Sequence, residues 1–240
     1  MIDERFFQLE DIIEITQTKK MNMVDISVED DETFVLACSI VSHNSAKSMI
    51  SAVRNPEIHG ALPLRGKILN VYGESLKEIS ENQIITDIMQ SIGLKLGVKA
   101  VRNDLRYGRI YLATDQDPDG ANIAALLVNF FYSQWPELFA DKENPFVYAF
   151  QTPFIIQKMK NGSRKYWYAD DYMEFDSNDY KGHPHAIRAK GLGSLEEEDW
   201  IHALENPKAI PIVDDGTLAE ALDLIFNDKK ADARKEWISI

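Results

Sequence analysis

The spacing of hydrophobic positions changes near residue 45. Before it, the runs 24–28 and 34–41 are rich in β-branched and aromatic residues and flank the acidic stretch EDDE. Runs of this composition around a polar turn are typical of paired strands. After it, apolar residues recur at helical spacing, which predicts a helix over residues 45–54. We therefore expect a small β-rich unit that runs directly into a helix.

Residues 45–150 alternate between predicted strands and predicted helices. Alternation of this kind favours an α/β unit with a mainly parallel sheet and flanking helices. The predicted elements are strands 68–72 and 109–114, a helix from a cap at Ser80 to about residue 92, a helix over 121–139, a strand pair that turns at Asn161-Gly162, and weaker helices over 196–204 and 217–227.

Composition narrows the class of protein. No apolar run approaches the ~20 residues that a membrane span needs, so we expect no membrane partner. The net charge of −13 argues against a protein that grips nucleic acid by bulk charge, so any DNA contact must be local, metal-mediated or supplied by a partner. The single cysteine, Cys38, excludes an internal disulfide framework and fits a reducing compartment such as the cytoplasm.

An acidic triplet follows the predicted strand 109–114. If the segment is extended, alternate residues point the same way, and Asp115, Asp117 and Asp119 converge at the carboxyl end of the strand. Clustered carboxylates need a cation, and hard oxygen ligands suit Mg²⁺. A solvated acidic turn is the plainer interpretation. An EF-hand is disfavoured because Leu126 stands where its closing glutamate belongs.

Three motifs carry a resemblance to a known family. ALPLRGKILNV, TDQDPDGANI and AKGLGSL, in this order, resemble the TOPRIM region of type IIA DNA topoisomerases, which include the gyrase B subunits and their eukaryotic and phage counterparts. The resemblance covers residues 45–240. It implies a TOPRIM domain over 45–150, a B-type C-terminal extension over 151–240, and a part in ATP-dependent breakage and rejoining of double-stranded DNA.

The resemblance also implies roles for individual residues. Each cation among them, taken singly, could equally be a solvated surface charge. Asn122 departs from the histidine that gyrases often carry after DGA. The implied roles are Mg²⁺ ligation by Asp115 and Asp117, support of the catalytic site by Asp119, contact with DNA phosphate by Arg65 and Lys67, and both phosphate contact and catalysis by Lys190.

Only the second half of one family motif is present in this chain. The family carries Glu-Gly-Asp-Ser-Ala, whose glutamate is a further metal ligand, whereas Ser42-His43-Asn44 precedes Ser45-Ala46 here. The resemblance therefore implies that a partner chain supplies the glutamate. It also implies that ATP binds to the partner chain with the ATPase domain, and that a separate subunit carries the DNA-cleaving tyrosine.

Residues 1–44 resemble the C-terminal half of a split intein. MVDISVEDDETFVLACSIVSHN is similar to the two terminal intein motifs, although Glu32-Thr33 stand where a histidine often precedes the aromatic residue. In that chemistry Asn44 cyclises and cuts the chain after itself, His43 assists, and the Ser45 hydroxyl accepts an acyl group. The partner would carry the other intein half and end its own sequence in Glu-Gly-Asp, in the cytoplasm of a bacterial or phage-infected cell.

Two alternatives remain open. The chain could be an unspliced small TOPRIM subunit of a multi-subunit phage topoisomerase, with residues 1–44 as a docking appendix. It could also be another TOPRIM enzyme, such as a nuclease or primase, but PLRGKILN and KGLG argue against that reading because they belong to the type IIA context.

Overall fold

The computed structural model describes residues 33–34, 38–62, 64, 67–168, 186–189 and 191–238, and before residue 49 it describes the backbone alone. The predicted strand over 24–28, Arg65 and Lys190 lie outside these ranges. Among the helices that are described, none is long and apolar enough to cross a membrane.

A five-stranded mixed sheet forms the centre of the molecule, in the order β1-β2-β3-β4-β8. Strands β2, β3 and β4 run parallel, whereas β1 and β8 pair antiparallel at the two edges. The predicted parallel sheet is therefore confirmed for its three central strands. These strands are β1 (Thr33–Phe34), β2 (Cys38–His43), β3 (Arg109–Ala113), β4 (Val147–Gln151) and β8 (Lys208–Ile212).

Helices cover both faces of this sheet. Ile110 and Leu112 of β3 belong to one hydrophobic core, and Tyr111 and Ala113 belong to the other. This alternation follows from the period of two along a strand and makes β3 a buried central strand. The helices are α1 (Asn44–Val53), α2 (Leu76–Glu81), α3 (Gln83–Ile92), α4 (Pro118–Gln134), α5 (Glu197–Glu205), α6 (Leu218–Phe226) and α7 (Ala231–Ile238).

A second, antiparallel sheet has the order β6-β5-β7, with β5 (Ile155–Lys158), β6 (Arg164–Trp167) and β7 (Ala186–Arg188). The predicted turn at Asn161-Gly162 joins β5 to β6, and Gly162 adopts φ +86° there. The prediction of a single strand pair over this region was incomplete, because β4 enters the main sheet and β7 joins β5.

A cluster of charges fastens this small sheet to α5. Arg164 lies within 2.7 Å of both Asp199 and Glu198, and it also pairs with Glu196. Lys158 pairs with Glu196 at 2.6 Å. Hydrogen bonds from Lys158 and Arg164 lower the pKa of the Glu196 carboxyl to about 2. The two strands and the helix are thus held together by charges around one partly buried guanidinium.

Two predicted elements were wrong. Residues 68–72 are not a strand. Ile68 and Val71 are buried, and the Asn70 side chain donates to the Phe226 carbonyl and accepts from the Asn129 amide. The helix predicted from Ser80 is two helices, because Ser75 and Asn82 each cap a separate one.

Candidate functional site

Asp117 marks the start of α4. Its Oδ1 accepts the N–H of Gly120 at 2.8 Å, and Pro118 occupies the first helical position. The prediction of an extended segment through Asp119 was therefore wrong, since the helix begins at Pro118 and Asp119 lies in its first turn. Asp115 lies just beyond the carboxyl end of β3, as predicted.

Two sequence motifs meet at Asp115. Its Oδ1 accepts the N–H of Leu192, from the KGLG motif, at 2.7 Å. A Cβ atom added at Gly191 would lie 2.8 Å from that same Oδ1, and one added at Gly120 would lie 2.1 Å from the Asp115 carbonyl oxygen. Both glycines are therefore needed for close approach, and this contact fixes the position of the carboxylate.

The third motif reaches the site through Lys67. Its Nζ lies 2.9 Å from Asp119 Oδ1, in an ion pair whose side chains are 53% and 81% exposed. Exposed pairs of this kind are weak and screened by salt, so an anionic ligand can compete for the lysine. Lys67 and Asp119 thus form the solvent-facing rim of the site.

A pocket of about 600 Å³ opens beside these residues, and Asp115, Asp117 and Gln151 contribute to its lining. The side-chain oxygen of Gln151 is buried and has no hydrogen-bond partner among the described residues. Gln151 ends β4, the strand next to β3, so its location at this sheet edge is explained by parallel topology. The sequence analysis missed it, because the sequence does not show that β4 adjoins β3.

The donor set fits part of a Mg²⁺ site. Asp115 and Asp117 line the same pocket and provide hard carboxylate oxygens. Over the described part of the chain, no three His, Cys, Asp or Glu side chains group closely enough to hold a metal ion.

The other predicted site residues are only partly described. Arg65 and Lys190 lie outside the described residues, although their neighbours Leu64 and Gly191 are described. The backbone of His43 ends β2 and that of Asn44 begins α1, with Ser45 in the first turn of that helix. The change in hydrophobic spacing near residue 45 therefore corresponds to a direct strand-to-helix junction.

The arrangement of β2, β3, β4 and their terminal residues has a counterpart in known proteins. Residues 37–150 match the family model described as "Toprim domain". The chain carries a Toprim domain with homology to type II DNA topoisomerases. The matched residues begin at 37, ahead of Ser45, and so include the whole of β2.

Relatives of this Toprim domain come from animals, plants and viruses. The chain is 31% identical to DNA topoisomerase 2 of Drosophila melanogaster over 217 residues, which is 85% of this chain and 15% of that protein. It is 35% identical to DNA topoisomerase 2 of Arabidopsis thaliana over 82% of this chain and 14% of that protein. DNA topoisomerase 2 of Invertebrate iridescent virus 6 is 33% identical over 75% of this chain and 17% of that protein.

A solved structure shares the fold. The DNA-binding, cleavage and re-ligation domain of Plasmodium falciparum topoisomerase II superposes with a TM-score of 0.68 at 24% identity, over 82% of this chain and 28% of that one. The chain spans about 15% of the length of the first curated relatives that it matches. The α/β Toprim fold and the homology to type II topoisomerases that the sequence predicted are thereby confirmed.

Proposed function

We propose that this chain supplies the metal-binding part of a type II DNA topoisomerase that breaks and rejoins double-stranded DNA. The observation that carries the proposal is the meeting of three separate motifs at one sheet edge: Leu192 bonds Asp115, Asp117 caps α4, and Lys67 pairs with Asp119. The similarity to DNA topoisomerase 2 proteins supports the same function.

In this function Asp115 and Asp117 would hold Mg²⁺. When bound, the ion would stabilise negative charge on the scissile phosphate and on the leaving oxygen. The chain's own residues fix the site: the Leu192 N–H orients Asp115, and the Gly120 N–H orients Asp117. Lys67 can exchange Asp119 for a DNA phosphate at little cost, because both partners are exposed.

The experiment compares Asp115→Asn with the surface control Asp232→Asn in the complete enzyme. Asparagine retains an oxygen for the Leu192 N–H but loses the negative charge, so the fold should persist while Mg²⁺-dependent DNA cleavage falls at least ~100-fold. Asp232 is 96% exposed, and its variant should cleave normally. Normal cleavage by Asp115→Asn in a folded protein would refute the metal assignment.

We further propose that the chain is a precursor completed by protein trans-splicing between Asn44 and Ser45. In this scheme the partner's acyl group is held as a thioester or ester on the Cys or Ser that begins its intein half. The Ser45 hydroxyl oxygen attacks that acyl carbon and displaces the thiol or hydroxyl, so the acyl group becomes an ester on Ser45. The side-chain amide nitrogen of Asn44 then attacks the backbone carbonyl carbon of Asn44. This breaks the Asn44–Ser45 peptide bond, releases the Ser45 amine and leaves a succinimide at Asn44. The freed amine displaces the ester oxygen and forms the new peptide bond, while His43 supplies a proton to the departing amine.

Splicing would also complete the metal site. The incoming chain would end in Glu-Gly-Asp, so the ligated chain would carry Glu-Gly-Asp directly before Ser45-Ala46. ATP would bind on the joined N-terminal portion, and the tyrosine would come from a separate subunit acting on the same DNA.

Asn44→Ala tests splicing, with His59→Ala as a control away from the junction. We expect Asn44→Ala to retain residues 1–44 on mixing with the partner half, and the control to be ligated like the unmodified chain. Peptide mass spectrometry provides the measurement, through a peptide that runs from a foreign Glu-Gly-Asp into Ser45-Ala46-Lys47. Full ligation of Asn44→Ala would contradict the mechanism.

One observation favours the unspliced small subunit as a second candidate. Strand β2 lies inside the Toprim sheet, and the family match begins at residue 37, so these residues serve the Toprim fold as they stand. In that case active enzyme isolated from its native cells would still begin at Met1. Such a product would leave residues 1–44 as a permanent part of the subunit.

A further inference from the structure

Strand β2 fills the place beside β3 in the main sheet. Its backbone pairs in parallel with β3, with Cys38 opposite Arg109 and Val41 opposite Leu112. On its other edge it pairs antiparallel with β1. Residues that precede the Asn44–Ser45 junction therefore complete the Toprim sheet on this side, in the part of the chain that the structure describes.

The neighbouring strand needs such a partner. Ile110 and Ala113 of β3 are fully buried, and Leu112 is 1% exposed. If the place beside it were empty, the backbone N–H and C=O groups on that edge would lose their partners. A strand at this position therefore stabilises the folded Toprim domain.

The residues after the junction are anchored independently of β2. Ile50 of α1 is fully buried in the core that contains Leu192 and Trp200. Helix α1 begins at Asn44, directly after β2 ends at His43. Any strand joined to Ser45 would therefore be delivered to the place beside β3, running in the same direction as β2.

This inference rests on the proposed trans-splicing. Splicing removes residues 1–44, so the ligated product cannot keep β2. We propose that Cys38–His43 is a stand-in strand, which completes the Toprim sheet before ligation and is then exchanged for the last residues of the incoming chain. The occupant that replaces it is a strand ending in Glu-Gly-Asp, identified by the interrupted motif at Ser45-Ala46.

Two interactions compete for the stand-in strand: pairing with β3 and pairing with the other intein half. Both of its edges are already hydrogen-bonded, to β1 and to β3. As the end of an intein half, it must also pair with the other half for splicing to occur. Release of the stand-in strand from β3 is therefore a required step before ligation, and a covalent link between the two strands should prevent it.

The chain's single cysteine provides the link. Cys38 and Arg109 are Cα partners on adjacent strands, which lie about 4.8 Å apart, within the range that a disulfide bridges. Arg109 is exposed, so Arg109→Cys introduces one thiol without opening the core. In the full-length chain we expect oxidation to form an intramolecular disulfide, measured as loss of two free thiols in a monomer. The double variant Cys38→Ser/Arg109→Cys is the matched control.

The oxidised variant is then freed of oxidant and mixed with the partner half. We expect ligation at least ~10-fold slower than for the reduced form of the same variant, with the double variant unaffected by oxidation. Equal ligation by oxidised and reduced forms would overturn strand exchange. Failure of the disulfide to form would overturn the location of the stand-in strand. Absence of ligation by the unmodified chain would instead defeat trans-splicing, while disulfide formation would still establish the strand's location.

A second variant tests, without any splicing, whether the end of the stand-in strand lies beside the metal-binding residues. In the observed register, position 42 follows the Val41–Leu112 pair and so lies level with Ala113, near the carboxyl end of β3. The triple substitution Ser42→Glu, His43→Gly and Asn44→Asp introduces the missing Glu-Gly-Asp at the end of the stand-in strand. We expect Mn²⁺ affinity, measured by electron paramagnetic resonance, to rise at least ~10-fold, and adding Asp115→Asn should remove the gain. Unchanged affinity in a folded triple variant would overturn the proposal.

Discussion

At the scale of single residues, Asp115 is held by contacts that leave no room for larger neighbours. Leu192 donates its N–H to one carboxylate oxygen, while Gly191 and Gly120 approach the side chain and the backbone of the same residue. Hydrogen bonds to a carboxylate are stronger than those between neutral groups. The direction of the Asp115 side chain is therefore set by the KGLG motif rather than by its own loop.

Gly191→Ala tests this control of Asp115. The added methyl group would lie 2.8 Å from Oδ1, so the carboxylate must move and the bond from Leu192 must lengthen or break. We expect Mg²⁺-dependent cleavage by the ligated enzyme to fall at least ~10-fold, with a loss of roughly 1 kcal/mol in the free energy of unfolding. DNA cleavage measured over a Mg²⁺ titration tests the first expectation, and chemical denaturation measures the free energy of unfolding.

Gly108→Ala is the matched control for that variant. A Cβ atom at Gly108 would meet nothing within 4 Å, so the change should leave both metal binding and stability near their original values. If Gly191→Ala also bound metal normally, the KGLG motif would have no part in positioning Asp115.

At the scale of secondary-structure elements, the charges between α5 and the small sheet explain why a strand pair and a helix distant in sequence stay together. Arg164 of β6 contacts Asp199 and Glu198 of α5, and Asp199 is only 1% exposed. A buried carboxylate requires such partners, because an unpaired one is strongly destabilising. The contact fixes the orientation of α5, which packs against α1.

This contact predicts a dependence of stability on pH. Hydrogen bonds from Lys158 and Arg164 lower the pKa of Glu196 to about 2. A lowered pKa in the folded state stabilises the protein above the ordinary carboxyl pKa, and that stabilisation is lost as pH falls toward 2. We expect Glu196→Gln to lower the melting temperature at pH 6, and the difference from the unmodified chain to shrink by pH 3. A difference that stayed constant with pH would contradict the assignment, and Glu143→Gln, at an exposed turn, serves as the control.

The sequence predicted some elements better than others, for physical reasons. Helix α1 was predicted within one residue at each end because its apolar spacing is regular. The start of α4 was missed, although Asp117 before Pro118 is a helix-start signal, because the triplet was read as extended. Strand β8 was also missed: it contains Pro211, which suits an edge strand but weakens the strand pattern.

At the scale of the whole molecule, the fold brings together residues that the sequence can only propose as partners. The family resemblance implied roles at one site for residues of PLRGK, DQDPDG and KGLG. The Leu192–Asp115 and Lys67–Asp119 contacts bring these three motifs together. The contribution of Gln151 depends on β4 lying beside β3, which is a long-range pairing that no local pattern encodes. The roles assigned to the predicted site residues all remain predictions: splicing by His43, Asn44 and Ser45, metal binding by Asp115 and Asp117, and the roles of Arg65, Lys67, Asp119 and Lys190.

The cap at the start of α4 has a consequence for the kinetics of ion entry. Asp117 accepts the N–H of Gly120, and Asp115 accepts the N–H of Leu192, so backbone groups orient both carboxylates. Preorganised ligands remove the ordering cost that a mobile loop would add to binding. In the proposed function, binding of Mg²⁺ would therefore be limited by the loss of water from the arriving ion, which Mg²⁺ gives up reluctantly, rather than by rearrangement of the protein.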